Sequence, residues 1–234
     1  MIRSNPNSPT DPPVDLPVEV TSVHVQKKRS DRISLFHDKQ FLIGLSESVR
    51  QSFKIGAGTQ LTRSLWDQIC RAEERQETRD HLLRLLGRRS HTRTELFRKG
   101  RQKGGDSELL EEELDRLEEQ GYLDNAEFAK QFVHDKLHLR GWGPRKIQGE
   151  LRRRGVSSGR AAEAVRRESD TLDLTRICVD LALKRRGHFL REEDVFRRRQ
   201  KIAAWLQRKG YSRESITAAM PEILERLDES THHS

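Results

Sequence analysis

A chain of 234 residues with 35% charged and only 33% hydrophobic residues carries modest apolar surface per residue, which argues against one thick globule and for small helical units with thin cores. Forty-five basic side chains against 37 acidic ones leave a net charge of +8, so a polyanionic neighbour is expected, with nucleic acid the first candidate. Two distant cysteines, Cys70 and Cys178, make no disulfide framework, no run approaches the roughly 20 apolar residues of a membrane span, and the start lacks a secretory apolar core; a soluble cytoplasmic protein without membrane contact is expected.

Residues 1–17 hold Pro6, Pro9, Pro12, Pro13 and Pro17, too many fixed φ angles and missing donors for regular structure, and are read as disordered. From Val18 the texture changes. Val18, Val20, Val23 and Val25 suggest one strand, Ile33 and Leu35 a second, and Phe41, Ile43 and Leu45 a third, with a hairpin turn over His37–Gln40. Ser46 then opens a short helix that Gly56 and Gly58 end, so 18–65 forms a small strand-helix module.

Beyond residue 66 the pattern is helical. Leu110, Leu114 and Leu117 share one helical face; Phe128, Ala129, Phe132, Val133 and Leu137 form the next stripe, expected to pack with Leu114 and Leu117. Ile147 and Leu151, then Ile177, Cys178 and Leu181, then Ile202 and Leu206, then Ile216, Ala219, Ile223 and Leu227 continue the series. Thr92 with Glu95 and Asp124 with Glu127 fit capping boxes, and Pro144 suits a first helical position. Pro221 is expected to kink or restart the last helix.

A basic helix followed by glycine recurs three times, ending at Gly104, Gly155 and Gly210, with spacings of 51 and 55 residues. Leu96, Ile147 and Ile202 occupy one equivalent position, Leu151 and Leu206 another, and Gly100 stands at that second position in the first copy, which predicts a shorter or looser helix there. The fold expected is mainly α: three-helix repeats over 75–121, 124–169 and 172–228, behind the strand-helix module.

The run Gly121-Tyr122-Leu123-Asp124-Asn125, then Phe128-Ala129 and Phe132-Val133, then Gly143-Pro144-Arg145-Lys146-Ile147, Glu150-Leu151 and Gly155-Val156 resembles the RecX family. The resemblance implies three tandem three-helix repeats in an elongated, curved monomer. It also implies a regulator that lodges in the groove of the RecA recombinase filament on single- or double-stranded DNA, within DNA repair, recombination and the SOS response. The module at 18–65 is similar to an N-terminal extension of some family members; Asp38-Lys39 stands where their first hairpin turn often carries glycine.

Charge is segregated by helix. Arg88–Lys103 carries seven basic residues and one acidic, Arg140–Arg167 nine and two, and Lys184–Lys209 ten and three, whereas Asp106–Glu127 holds ten acidic residues and one basic. The basic helices read either as a surface that follows phosphates or an acidic filament, or as solvated faces; their recurrence at equivalent positions speaks for the first. The candidate binding residues are Arg145, Lys146, Arg152, Arg153 and Arg154 in the second repeat, and Arg198, Arg199, Lys201, Arg208 and Lys209 in the third, expected to form one continuous basic wall. The acidic helix is either a partner-facing patch or an internal balance for basic neighbours.

Of the three tryptophans, Trp205 lies in an apolar stripe and reads as core, while Trp142, between Gly141 and Gly143, is the better candidate for stacking on bases. His134 and His138 have helical metal-binding spacing, but Lys136 and Arg140 beside them favour a solvated face. Without a nucleophile-base pair, paired carboxylates in an apolar run or a phosphate loop, a binding protein with no cofactor and no metal is expected rather than an enzyme. Two functions stand: a regulator of the RecA filament, and a general DNA-binding helical module without a protein partner. The sequence leaves open whether regulation means inhibition or stimulation.

Overall fold

The protein is described by a computed structural model over residues 11–229, which divides into two bodies: residues to 90 with 96–122, and residues 91–95 with 123 onward. The N-terminal body contains β1 (Val18–Glu19), β2 (Ser22–Gln26), β3 (Arg29–His37), β4 (Gln40–Ser46), α1 (Glu47–Ser52), β5 (Gln60–Leu61), α2 (Arg63–Leu86), most of α3 (Arg93–Gln102) and α4 (Ser107–Glu119). Strands β2, β3 and β4 form an antiparallel sheet in that order, and β1 pairs antiparallel with β5. Residues 1–10 lie outside the described residues. Residues 11–17 form no helix or strand, yet Val14 and Leu16 pack against the core, so this part of the proline-rich start is seated on the sheet rather than disordered.

The single strand expected over 18–25 is two. The Val20 amide donates to the Thr59 carbonyl (2.9 Å) and the next amide, Thr21, to the Phe36 carbonyl (2.8 Å), so the chain changes ladders there. The β3–β4 turn is made without glycine: Asp38 and Lys39 both adopt positive φ, 43° and 69°, as a two-residue turn of type I′ twist requires. A register shift after Leu35 turns Phe41 out of the core. It is 50% exposed and meets Phe36 edge-on at 5.8 Å, while Leu42 is buried beside Ile43 and Leu45.

The strand-helix module and the first repeat are not separable at 65–75, because one 24-residue helix, α2, serves both. Its first turns bury Trp66 and Ile69 in the sheet core. Two turns on, Glu73 is buried and accepts from the Ser46 amide (2.7 Å) and hydroxyl (2.9 Å), with the Arg32 guanidinium 2.8 Å away. Arg32 also reaches Glu77 at 2.9 Å. Burial raises the Glu73 carboxyl above its ordinary range, and the Ser46 bonds and Arg32 oppose that rise.

Further along, Arg75 and Arg79 of α2 lie 3.5 and 3.8 Å from the fully buried Glu113 of α4, and Arg75 binds Glu112 at 2.6 Å. Part of the acidic helix is therefore an internal balance, against α2. Gly100 has a packing reason: a Cβ there would run into the Leu110 side chain, so glycine admits α4 to close contact with α3. Helix α3 is no shorter for it, with 10 residues like its counterpart in the second repeat.

The C-terminal body holds α5 (Asn125–His134), a π-helical turn (Asp135–Leu139), α6 (Pro144–Arg153), α7 (Ser158–Ser169), α8 (Leu174–Lys184), α9 (Arg186–Phe189), α10 (Val195–Lys209) and α11 (Arg213–Glu229). Asp124 caps α5 by accepting from the Ala126 (2.7 Å) and Glu127 (3.0 Å) amides, and Pro144 opens α6. Two cores form. One gathers Phe128, Phe132, Val133, Leu137, Ile147, Leu151 and Val165; the other gathers Cys178, Val179, Phe189, Ile202, Leu206, Ile216 and Ile223. Leu114 and Leu117, expected with Phe132, belong to the other body. Helix α11 runs unbroken through Pro221, which is exposed while Met220 and Ile223 beside it are buried.

Neither cysteine forms a disulfide, and burial pushes the half-buried Cys70 thiol up to about 11 and the buried Cys178 thiol to about 12, away from the thiolate form. Among the described residues no helix is long and apolar enough to cross a membrane.

Removing one partner of a buried ion pair leaves the other uncompensated, so Arg32→Ala should lower the unfolding free energy in urea by about 3–5 kcal/mol. Phe132 stacks on Phe128 with centroids 5.8 Å apart and is 9% exposed, and Phe132→Ala should cost about 3–5 kcal/mol in the same assay.

Candidate interaction surface

The joint between α10 and α6 places the basic side chains. Gly210 ends α10 with φ 98°, a left-handed conformation, and its carbonyl accepts the Arg145 amide of the first turn of α6 at 3.1 Å. One residue earlier, the Lys209 carbonyl accepts the Gly143 amide at 2.7 Å. The electronegative end of one helix thus meets the electropositive start of the other, and free carbonyls satisfy free amides. Neither glycine tolerates a side chain: a Cβ on Gly143 would enter the Gly210 carbonyl group, and one on Gly210 would lie 2.5 Å from the Lys146 nitrogen.

A glycine also ends α6, where side chains make the contact. Gly155, at φ 89°, lies against the Thr94 side chain, and the Thr92 hydroxyl donates to the Arg154 carbonyl at 2.5 Å. Arg154 adds an ion pair to the buried Glu95 at 2.6 Å, and Glu95 also meets His91 at 3.1 Å.

The joint brings Arg145 from α6 alongside α10 and α11. Arg145, Arg199 and Arg213 converge on a groove of about 390 Å³ whose floor is Ala203, Ile216 and Met220, with Gln207 and Thr217 as further polar groups. All three arginines are exposed, and among the described residues no ion pair of the fold engages them. Glu214, next to Arg213 in the chain, is held below its ordinary range by the Ser212 hydroxyl, then its own amide, with Arg145 and Arg213 contributing. Arg213, at the start of α11, was not among the sequence candidates, because it follows the glycine that closes the basic run.

A second, aromatic cluster lies at the same joint. The Lys146 ammonium sits 4.3 Å from the Trp142 ring centroid, with Lys136 at 5.6 Å; Lys209 and Arg185 lie 5.5 and 5.4 Å from the Trp205 ring. Such cation–π contacts draw the cationic groups onto the ring faces. Burial first, then Lys146 and Arg185, lower the Lys209 ammonium. Trp205 packs on the third-repeat core and edge-on against Phe189 at 5.6 Å, as its stripe suggested; Trp142 too is half-buried against its own core. Trp66 is fully buried.

The ten candidates therefore separate. Arg145 and Arg199 share the groove, and Arg152, two helical turns from Arg145, lies on the same exposed side of α6. Arg208 is nine residues from Arg199, two and a half turns, so it and neighbouring Lys201 occupy the opposite side of α10, where Lys201 pairs with Glu192. Arg153 pairs with Glu150 on α6. Arg154 and Arg198 are structural: Arg198 is 8% exposed, binds Asp228 at 2.9 Å and donates to the Glu192 carbonyl at 2.9 Å. A single continuous wall of all ten does not form, because helical geometry distributes them around two helices and two are engaged in ion pairs that hold the fold.

Joined three-helix units with a cationic groove at their junction define a helical-repeat protein. Residues 124–165 match the model of the RecX second three-helix domain, and residues 175–220 that of the third. The chain is 37% identical over 142 residues to the regulatory protein RecX of Halorhodospira halophila, covering 60% of this chain and 84% of that one. It is 24% identical over 214 residues to that of Listeria welshimeri, covering 90% and 78%. A crystal structure of a regulatory protein RecX shares the fold with TM-score 0.66 at 22% identity, over 89% of this chain and 98% of that one. The RecX from Lactobacillus salivarius does so with TM-score 0.58 at 22% identity, over 65% and 97%. The chain belongs to the RecX family of regulatory proteins.

The joint predicts a contrast between a glycine that ends a helix and one inside a helix. Gly210→Ala combines a left-handed backbone with a collision and should destabilise by more than about 2 kcal/mol. Gly149→Ala, inside α6 with nothing within 4 Å of the new methyl, should stabilise by about 0.5–1 kcal/mol. Urea titrations of both variants measure the difference.

Proposed function

We propose that this protein is a cytoplasmic monomer that binds the RecA filament on DNA through the groove of Arg145, Arg199 and Arg213, and restrains the recombinase and ATPase activities of the filament. The observation that carries this reading is the convergence of three exposed guanidinium groups, free of internal ion pairs among the described residues, at the joint of two RecX-type repeats. Arginine suits phosphate and carboxylate alike, since its planar fork gives paired, charge-assisted hydrogen bonds to either. Exposed Arg152 extends the surface along α6. The internal pairs of Arg154 and Arg198 take these two out of the binding set.

The alternative, a general DNA-binding module, uses the same arginines without a protein partner. Affinity for bare single-stranded DNA and for a RecA-coated strand, measured at one salt concentration, separates the two: a regulator prefers the coated strand. The variant Arg145→Ala/Arg199→Ala/Arg213→Ala removes no apolar core residue and should keep its thermal midpoint. It should bind the filament at least about tenfold more weakly, as expected on losing several charge-assisted bonds, and release RecA ATPase from restraint. If phosphates are the ligands, the log–log salt slope should fall by about 2–3. Full restraint of the filament by this variant would move the regulatory surface elsewhere.

A further inference from the structure

The two histidines set aside on sequence grounds acquire a third partner in the fold. His134 ends α5, His138 lies in the π-helical turn that follows, and Glu168 projects from α7, which packs against α5 in the core of the second repeat. One carboxylate oxygen, Glu168 Oε1, lies 2.9 Å from His134 Nδ1 and 2.9 Å from His138 Nε2. The two rings are 4.5 Å apart, and one ligand atom from each residue lies within 4.8 Å of the others. We propose that His134, His138 and Glu168 bind a divalent transition-metal ion of the zinc type, fastening the π-helical turn to α7 and leaving the remaining coordination position to solvent.

The donor set is the first argument. Two imidazoles and a carboxylate suit zinc-like ions, and three protein ligands with an open position is a recurring zinc arrangement. Spacing is the second. Ligand atoms about 2.0–2.1 Å from a tetrahedral ion stand about 3.3 Å apart, so the nitrogen–oxygen pairs need to open by only a few tenths of an ångström, with the two nitrogens, within 4.8 Å of each other, adjusting to the same spacing. Side-chain exposures of 60%, 35% and 28% give all three room to adjust.

Charge is the third argument. The sequence sets Lys136 between the two histidines, which would oppose an ion if its ammonium faced them. In the fold that ammonium lies over the Phe132 ring at 5.0 Å and the Trp142 ring at 5.6 Å, committed to the aromatic cluster. On α7, Arg167, beside Glu168, is paired with Glu163 at 2.5 Å. The backbone supplies the fourth. Val133 and Leu137, each next to a histidine, are buried, as is Val165 one turn before Glu168, so the ligands stand on packed elements. A π-helical turn inside a helical run is itself a feature concentrated at functional sites.

Zinc chloride alone is the probe, with the full-length chain and no affinity tag. Titration calorimetry and thermal melts are run on the wild type and on His138→Gln and Glu168→Gln. His232 and His233 of the tail are common to all three proteins, so differences report on the proposed site. Expected are zinc binding by the wild type with a rise in its thermal midpoint, at least tenfold weaker binding by each variant, and loss of the zinc-dependent rise in both. Far-UV circular dichroism checks each fold, and if one variant is misfolded His134→Gln takes its place. Equal zinc affinity in wild type and variants, or no zinc-dependent rise in the wild type, overturns the proposal and leaves the three side chains as an ion-free hydrogen-bonded clamp.

Discussion

The C-terminal body depends on a close approach of helix ends through glycine. A helix finishes with carbonyls that have no partner and begins with amides in the same condition, and each end normally needs a side-chain cap or water. Gly210 turns left-handed, so that its carbonyl and that of Lys209 reach the amides of Arg145 and Gly143. Gly155 sets the other end of α6 against Thr92 and Thr94. Because each contact is backbone against backbone or a short side chain, the position of α6 is fixed closely, and Arg145 is delivered to the flank of α10 and α11.

That placement sorts a uniformly basic sequence into distinct chemical roles. Arg198 is buried and pairs with Asp228, and the part-buried Arg154 pairs with Glu95, so these two organise the approach to α10 and the joint at α6. Lys146 and Lys209 rest on tryptophan faces, which hold the joint from the aromatic side. Arg145, Arg199 and Arg213 remain exposed on one groove with an apolar floor. Binding through such a groove combines charge with a shaped, partly apolar contact, whereas a flat basic face would offer charge alone.

The N-terminal body shows the same economy with opposite charges. Helix α2 runs from the sheet core to the acidic helix, and its face alternates roles along its length: Trp66 and Ile69 against strands, Glu73 and Glu77 toward Arg32, Arg75 and Arg79 toward Glu112 and Glu113. Part of the acidity of α4, at Glu112 and Glu113, thus balances the arginines of α2.

Periodicity and punctuation alone determined the helical class, the capped starts at Thr92 and Asp124, the helical stripes and the repeat spacing, because these depend on residues near one another in the chain. The resemblance through Gly121–Val156 was legible for the same reason. Other features were decided by the tertiary structure. Gly100 reads as a weak point until Leu110 is seen to occupy the space a side chain would fill. The division of Val18–Val25 between two ladders depends on Thr59 and Phe36, both distant in sequence. Arg213 joins the groove, and Glu168 joins His134 and His138, only when α11 and α7 fold back on their neighbours. Local pattern fixes which way a side chain faces on its own helix; which charges it meets, and whether it stays free for a partner, is set by long-range packing that one-dimensional spacing does not encode.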